Sequence, residues 1–351
     1  MELDSLCKQW NTTLDIDEEN LEIVSESQNH PRLSLYKNKG RAVDQERRWR
    51  QQLAKLRSKK DRSNHFDCNR FTLNNDENLK HPWASNEPPP GCSKIKSWRR
   101  HSKFLMLAEW LLFMPPNFTE EYSLKLCPKG RHVFVKASEG ETNVYTRNGH
   151  HFLSTVSRLP GGGLGQSDRQ NSSYMTLLDC ILWSAEDNAN IDCESKGSVD
   201  KQLYVIDIIY MRSTVYSQLS FRERSVWMET YLKQQIEEFS ETDPLRFHIV
   251  PSHRCDTESM QNAFSSMPSY EVDGVLFYHD DVTYEPGATP LVNWLKPYML
   301  PEWFPDIKFH PDYMKDMPSD YTDYINEIQQ YEAKSSKSSK SLSTTSTQMV
   351  T

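Results

Sequence analysis

Thr176-Leu177-Leu178-Asp179-Cys180-Ile181-Leu182-Trp183 is an almost unbroken apolar run with a single carboxylate in its middle. It is too short for a typical buried helix and has the length of a central strand. Leu203–Tyr210 repeats the pattern, again with one acid, Asp207, inside the run. Val272–Tyr278 predicts a third such strand. Working outward, Leu124–Cys127 and His132–Ala137 flank Pro128-Lys129-Gly130-Arg131, a spacing that predicts a hairpin. Asn143–Thr146 fits a further strand, closed by the turn Arg147-Asn148-Gly149. Phe221–Ile236 is the clearest helix of the body. Phe247–Val250 and a short helix over Thr257–Phe264 follow, and Pro290–Met299 closes it. At the front, Phe104–Leu112 reads as an apolar helical segment ending before Pro115-Pro116. Strands come first, helices are interspersed, and there is no strict β-α-β alternation or internal repeat. The expected class is α+β with a large antiparallel sheet.

The ends differ from this body. Apolar residues are only 36% of the chain, and the ends account for the deficit. Residues 316–351, rich in Ser, Lys and Thr, are expected to stay disordered. Residues 66–102 read as a linker containing Pro88-Pro89-Pro90-Gly91. Residues 30–65 form a basic segment. Between Arg32 and Arg62 stand twelve basic residues against three acids, a surplus of nine in a chain whose net charge is -8. The remainder therefore lies near -17, so the positive charge sits in one short piece that should meet an acidic partner. A helix is expected from Asp44, which can cap it, to Lys60. Trp49, Leu53 and Leu56 make a narrow apolar stripe on it. Ahead of it, residues 1–29 are acidic and flexible, with a sparse apolar set of Leu3, Leu6, Trp10, Leu14 and Ile16 that should order only on a partner.

The seven cysteines include no CxxC pair. They read as reduced thiols, and no zinc site or other metal or cofactor is expected. No apolar run approaches the ~20 residues of a membrane span, and no signal peptide is expected.

Several segments resemble the nucleotidyltransferase domain of mRNA guanylyltransferases and DNA ligases. They are Thr176-Leu177-Leu178-Asp179, Tyr204-Val205-Ile206-Asp207-Ile208, Asp273-Gly274-Val275-Leu276-Phe277 and Trp294-Leu295-Lys296-Pro297. Those enzymes need a KxDG lysine that carries the nucleotide covalently, and the chain contains no KxDG. Between Tyr145 and Thr176, where it is expected, stands Leu159-Pro160-Gly161-Gly162-Gly163. A nucleotide pocket without the chemistry is the expectation, and no catalytic residue is assigned. Asp179, Asp207 and Asp273, which could hold a metal in an active enzyme, are expected in structural hydrogen bonds.

A longer set of residues resembles the snurportin family, import adaptors for spliceosomal small nuclear ribonucleoproteins. His30-Pro31-Arg32-Leu33-Ser34-x-Tyr36-Lys37 and Glu46-Arg47-Arg48 look like its importin-β-binding segment. Leu107-Ala108-Glu109-Trp110-Leu111, Cys127-Pro128-x-Gly130, Tyr145-Thr146-Arg147 and Leu159-Pro160-Gly161-Gly162 look like its cap-binding domain. So do Glu271-Val272-Asp273-Gly274-x-Leu276-Phe277-Tyr278-His279 and Pro286-Gly287-x-Thr289-Pro290-Leu291-Val292-x-Trp294-Leu295. The resemblance implies a cap-binding domain over 103–315 and a 2,2,7-trimethylguanosine ligand on small nuclear RNA. It also implies importin-β as partner and an exportin as return carrier, with shuttling between nucleus and cytoplasm.

The ligand's chemistry says what such a pocket needs. N7 methylation makes the purine cationic, so an indole face attracts it. Methylation of N2 removes the donors that a carboxylate would bind, so an apolar contact should replace that carboxylate. The triphosphate wants cations. The resemblance places Trp294 as the stacking indole and Trp110 beside the methylated edge. It places Arg147 and the Gly130-Arg131-His132 turn on the phosphates. Two positions depart from the family pattern. Ala108 stands where a serine contacts the cap, and His132 where an arginine reaches the phosphates. Weaker cap affinity, or compensation by Lys129, is expected. On importin-β the expected contacts are Arg32, Leu33, Arg47, Arg48, Arg50, Lys55, Arg57, Lys59 and Lys60. Leu3, Leu6, Trp10, Leu14 and Ile16 resemble an export epitope. Two rival readings are an active guanylyltransferase or ligase, which would form a lysine–nucleotide adduct, and a general RNA-binding protein with a basic arm, whose binding would survive removal of the cap methyls.

Overall fold

The computed structural model describes residues 42–64, 104–165, 174–184, 201–239 and 242–332. The export epitope, Arg32, Leu33, the linker and the last residues of the tail lie outside these, as do the side chains of Lys59 and Lys60. The elements are α1 (Ala42–Asn64), β1 (Met106–Trp110), α2 (Phe118–Glu121), β2 (Tyr122–Pro128), β3 (Arg131–Ser138), β4 (Glu141–Thr146), β5 (His151–Thr155), β6 (Met175–Ser184), β7 (Lys201–Arg212) and β8 (Thr214–Val215). They continue with α3 (Phe221–Trp227), α4 (Lys233–Glu237), β9 (Arg246–Ile249), β10 (His253–Arg254), α5 (Thr257–Phe264), β11 (Val272–His279), β12 (Gly287–Leu295), α6 (Leu300–Trp303) and α7 (residues 324–332). A π-helical turn, Met228–Leu232, joins α3 to α4, so the single helix expected over Phe221–Ile236 is continuous but locally unwound.

The body is α+β, and its strands divide into two sheets. Among the described residues one sheet has the order β1-β12-β11-β2-β10, and the other β5-β4-β3-β6-β7-β8 with β9 beside β7. All neighbours run antiparallel except β1 with β12 and β7 with β9. The expected α+β body with extensive antiparallel pairing is thus built as two packed sheets. Their inner faces meet in one apolar layer that includes Cys127, Leu276, Tyr278 and Val292 from the first sheet and Phe134, Ile181, Ile206 and Ile209 from the second. The outer face of the first sheet packs Leu124, Phe277 and Leu295 against Phe264, Leu300 and Ile328 of the covering helices. The outer face of the second packs Leu178, Val205 and Ile208 against Met228 and Leu232. Strands β6 and β7 are covered on both sides, which is why they read as unbroken apolar runs.

Three sequence expectations need correction. Phe104–Leu112 does not form a helix. Met106–Trp110 is a strand, because parallel pairing along β12 offers its backbone a ladder that a single helical turn would forfeit. Pro128-Lys129-Gly130-Arg131 does not close a hairpin. The chain leaves β2 in one sheet and enters β3 in the other. Gly130 is required at this crossover, since a Cβ there would stand 2.4 Å from the Leu182 carbonyl oxygen. The tail is not disordered from 316. Helix α7 lies on the body with Ile328 buried and the Tyr298 hydroxyl donating to Glu327.

Helix α1 begins at Ala42, so Asp44 lies in its first turn and pairs there with Arg47 and Arg48 instead of capping it. The helix lies against the body. Trp49 and Leu53 are each 5% exposed, and Trp49 Nε1 donates to the Tyr122 hydroxyl. Burying two such side chains contributes about 1.5–3 kcal/mol each.

One strand residue contradicts its surroundings. Lys125 of β2 is fully buried with Nζ donating to the Val250 carbonyl. Burial pushes its pKa down to about 8, against the opposing pull of Asp207 and Glu229. Below pH 8 the lysine is charged in both native and unfolded chains, so the burial penalty is fully present. As pH rises from 8 toward 10.5 the native chain gives up a proton that the unfolded chain keeps, and this group's contribution to stability rises. Lys125→Met is expected to stabilise the protein at pH 7 by about 1 kcal/mol after the cost of orphaning one carbonyl. Thermal melts at pH 7 and pH 9 check this. The gain must shrink at the higher pH, and a gain that grows would contradict it.

Candidate functional site

A cavity of about 800 Å³ opens between the inner faces of the two sheets. Leu276, Tyr278, Val292 and Trp294 line it from the first sheet, and His132, Ile181 and Ile206 from the second. Ala108, Glu109 and Trp110 of β1 form one rim, and Arg147 and Gly130 stand at turns on another. Helix α1 adds Asp44, Gln45 and Arg48.

Trp294 is half-buried, and its position depends on a glycine. A Cβ at Gly274 on the neighbouring strand would lie 2.1 Å from the ring atom Cζ2, so the bare backbone of Gly274 lets the indole lie close to β11. Lys296 holds Nζ 6.0 Å from the ring centroid and pairs with Asp273 at 2.6 Å. Trp110 is opposite Trp294 in the β1–β12 register, and its ring stands 5.6 Å from that of Tyr331 on α7. Two indoles on adjacent strands therefore border one apolar cavity.

The expected cations divide. Arg147 is exposed and lines the cavity, as does His132. His132 Nε2 lies 2.6 Å from Asp179 Oδ1, while the Tyr284 hydroxyl donates to Asp179 Oδ2 at 2.7 Å. Burial raises the Asp179 carboxyl, and His132 pulls it back down. With Nε2–H directed at Asp179, Nδ1 is the nitrogen left to face a ligand, and it donates only in the cationic ring. Arg131 is elsewhere, with its guanidinium 4.9 Å from the Phe152 ring and outside the cavity lining. Lys129 pairs with Glu271 at 3.1 Å and does not line the cavity, so it is not placed to compensate for His132. Leu159 packs in the outer cluster, and Gly161, Gly162 and Gly163 lie against Ala137, Thr142 and Gly140, outside the cavity lining.

Each acid once considered as a metal ligand has a partner. Asp179 meets His132 and Tyr284, Asp273 meets Lys296, and Asp207 meets Arg224. Among the described residues no cluster of His, Cys, Asp and Glu could hold a metal ion.

The sequence reading missed Glu109, Cys127, Leu276 and Tyr278 as lining residues. Apolar alternation could have indicated Leu276 and Tyr278, which share a face of β11. Glu109 carried no signal, because its partners are on α1. Arg48 Nη1 and Nη2 donate to its two oxygens, the second at 2.8 Å, and Gln45 Nε2 donates at 3.2 Å. Arg47, Arg50, Lys55 and Arg57 point to solvent, whereas Arg48 is turned into the body.

A family model described as the Snurportin1 m3G cap-binding domain matches residues 104–297, more than half of the chain. The chain belongs to the snurportin family. A second model, described as Snurportin1, matches residues 30–71 and so includes α1. This member thus matches the m3G cap-binding domain over its body and the second Snurportin1 model over its basic N-terminal segment. Among solved structures, the ligase domain of M. tuberculosis LigD is 12% identical with a TM-score of 0.37, over 55% of this chain and 59% of that one. A mycobacterial DNA ligase D complexed with ATP and MES is 13% identical with a TM-score of 0.37, over 55% and 60%. A Lig E DNA ligase is 16% identical with a TM-score of 0.34, over 54% and 67%. This snurportin-family chain therefore spans about three fifths of the first two ligase chains.

Proposed function

We propose that this chain takes the trimethylguanosine cap of small nuclear RNA in the cavity between its sheets and presents that cargo to importin-β. The observation that carries the reading is the half-buried Trp294 indole, set close over Gly274 and bordering an apolar cavity that also has an exposed arginine at its edge. The cationic purine stacks on Trp294, Trp110 borders the methylated edge, and Arg147 meets the phosphates with His132 behind it. Ala108 offers backbone contact only. Importin-β takes the exposed basic face of α1 (Arg47, Arg50, Lys55, Arg57) with Arg32, Leu33, Lys59 and Lys60, in salt-sensitive contacts. An exportin takes Leu3, Leu6, Trp10, Leu14 and Ile16, and the protein shuttles between nucleus and cytoplasm. The chain performs no nucleotidyl transfer, since it lacks the KxDG nucleophile, and incubation with GTP should leave no covalent adduct.

Fluorescence titration of the full chain with trimethylated, monomethylated and unmethylated cap dinucleotides tests this. Quenching should be tight with the trimethylated cap and at least tenfold weaker with the other two. Equal binding of all three would move the protein to the general RNA-binding class.

A further inference from the structure

The notable wall of the cavity is the one supplied by α1. Its inward face is fixed to the body at several independent points. Gln45 donates to the Trp110 carbonyl at 2.7 Å and accepts from the Leu112 amide at 3.0 Å. The Thr289 hydroxyl donates to Gln52 at 2.7 Å, and Trp49 and Leu53 are buried. These anchors bring the planar guanidinium of Arg48 onto both oxygens of Glu109, the only carboxylate β1 contributes to the cavity.

We infer that α1 is part of the cap site, and that the Arg48–Glu109 pair sets its preference for trimethylated over monomethylated guanosine. The inference rests on the cap occupying this cavity. A monomethylated guanine edge presents N1–H and the N2 amino group, a pair of donors that a free carboxylate accepts together. A trimethylated edge keeps N1–H and replaces the amino donors with two methyl groups, which would press against the carboxylate and strip its water. A carboxylate left free beside Trp110 would therefore select the wrong cap. Arg48 holds both of its oxygens with Nη1 and Nη2, while its Nε meets Asp44, and Gln45 donates to the same Glu109 carboxylate. The rim then meets the base with a carboxylate whose oxygens are already engaged, so the N1–H and N2 donors of a monomethylated edge gain no acceptor there. The discriminating residue thus comes from the same helix whose outer face serves importin-β.

The test is titration of the full-length protein with trimethylated and monomethylated cap dinucleotides, using wild type, Arg48→Ala, Glu109→Ala and the double variant. Arg48→Ala should tighten monomethylated binding by about tenfold, the worth of one charge-assisted hydrogen bond, and weaken trimethylated binding. The double variant should return the ratio to the wild-type value, because the released carboxylate is gone. If Arg48→Ala unfolds, Arg48→Lys keeps the charge without the fork and should give an intermediate ratio. An unchanged ratio in Arg48→Ala, or equal loss of both caps, overturns the inference and leaves the cap-site reading intact. A wild-type protein that binds neither cap, or both equally, overturns both.

Discussion

Replacing Trp294 with alanine is expected to weaken binding of the trimethylated cap by roughly 100-fold. Stacking of one base on one aromatic side chain is worth about 1–3 kcal/mol by alanine substitution, and the cation on the purine adds about 0.5–2 kcal/mol. The two contributions share one contact, so their sum is an upper bound. The substitution also leaves a void over Gly274, where the indole now packs. The expected stability loss is about 2 kcal/mol, less than the cost for a fully enclosed aromatic because Trp294 is only half-buried. Binding and folding are therefore separable in this variant. Trp294→Phe should recover part of the affinity, since a smaller ring still stacks. Gly274→Ala approaches the same contact from below. Its methyl would meet ring atoms at 2.1–2.6 Å, so the indole must lift from β11 into the space the base would use. Calorimetric titration and a thermal melt on each variant measure the two effects. Trp294→Ala with wild-type affinity would remove the indole from the site and the site from the cavity.

What the sequence disclosed and withheld follows the range of the interactions involved. Strands β6, β7 and β11 were legible because both of their faces are buried, which leaves an apolar run in the local sequence. The helix over Thr257–Phe264 was legible for a similar reason, with Met260, Ala263 and Phe264 on one side. Strand β1 was misread because five residues carry too little periodicity to separate helix from strand. Its state is settled by β12, far along the chain. The Pro128–Arg131 turn has hairpin chemistry, yet Gly130 presses on Leu182, and that contact turns the chain into the other sheet. In the site, Trp294, Trp110, Arg147, Gly130, Ala108 and His132 line one cavity. Arg131 was placed wrongly because neighbours along a strand face opposite ways, and His132 takes the inward direction. Glu109 with Arg48 could not be read from either segment alone, since the pair bridges residues 61 positions apart.

The largest effect on folding is expected at Arg224. This arginine and Asp207 are both fully buried and joined by two hydrogen bonds of 2.8 Å. The remaining side-chain nitrogen donates to the carbonyls of Leu219 and Val282, and Asp207 also accepts from the Ile208 amide. The pair joins α3 to the middle of β7 and to the loop ahead of β12. Arg224→Met keeps much of the volume but strands a carboxylate and two carbonyls without water. Breaking one side of a buried ion pair costs about 3–5 kcal/mol, which for a body of this size corresponds to a fall of roughly 10 °C in Tm. Asp207→Asn in the same chain should recover most of it, because the neutral amide no longer needs a cation. Ile206, next to Asp207 on β7, lines the cavity, so Arg224→Met should lose cap binding as it unfolds, while the double variant should regain binding and stability together. A wild-type melting temperature in Arg224→Met would mean the pair holds nothing. A double variant no more stable than the single would show that the two carbonyls, and not the stranded charge, carry the cost. In the native chain Asp207 is held by Arg224, so the acid inside the apolar run of β7 has a structural partner.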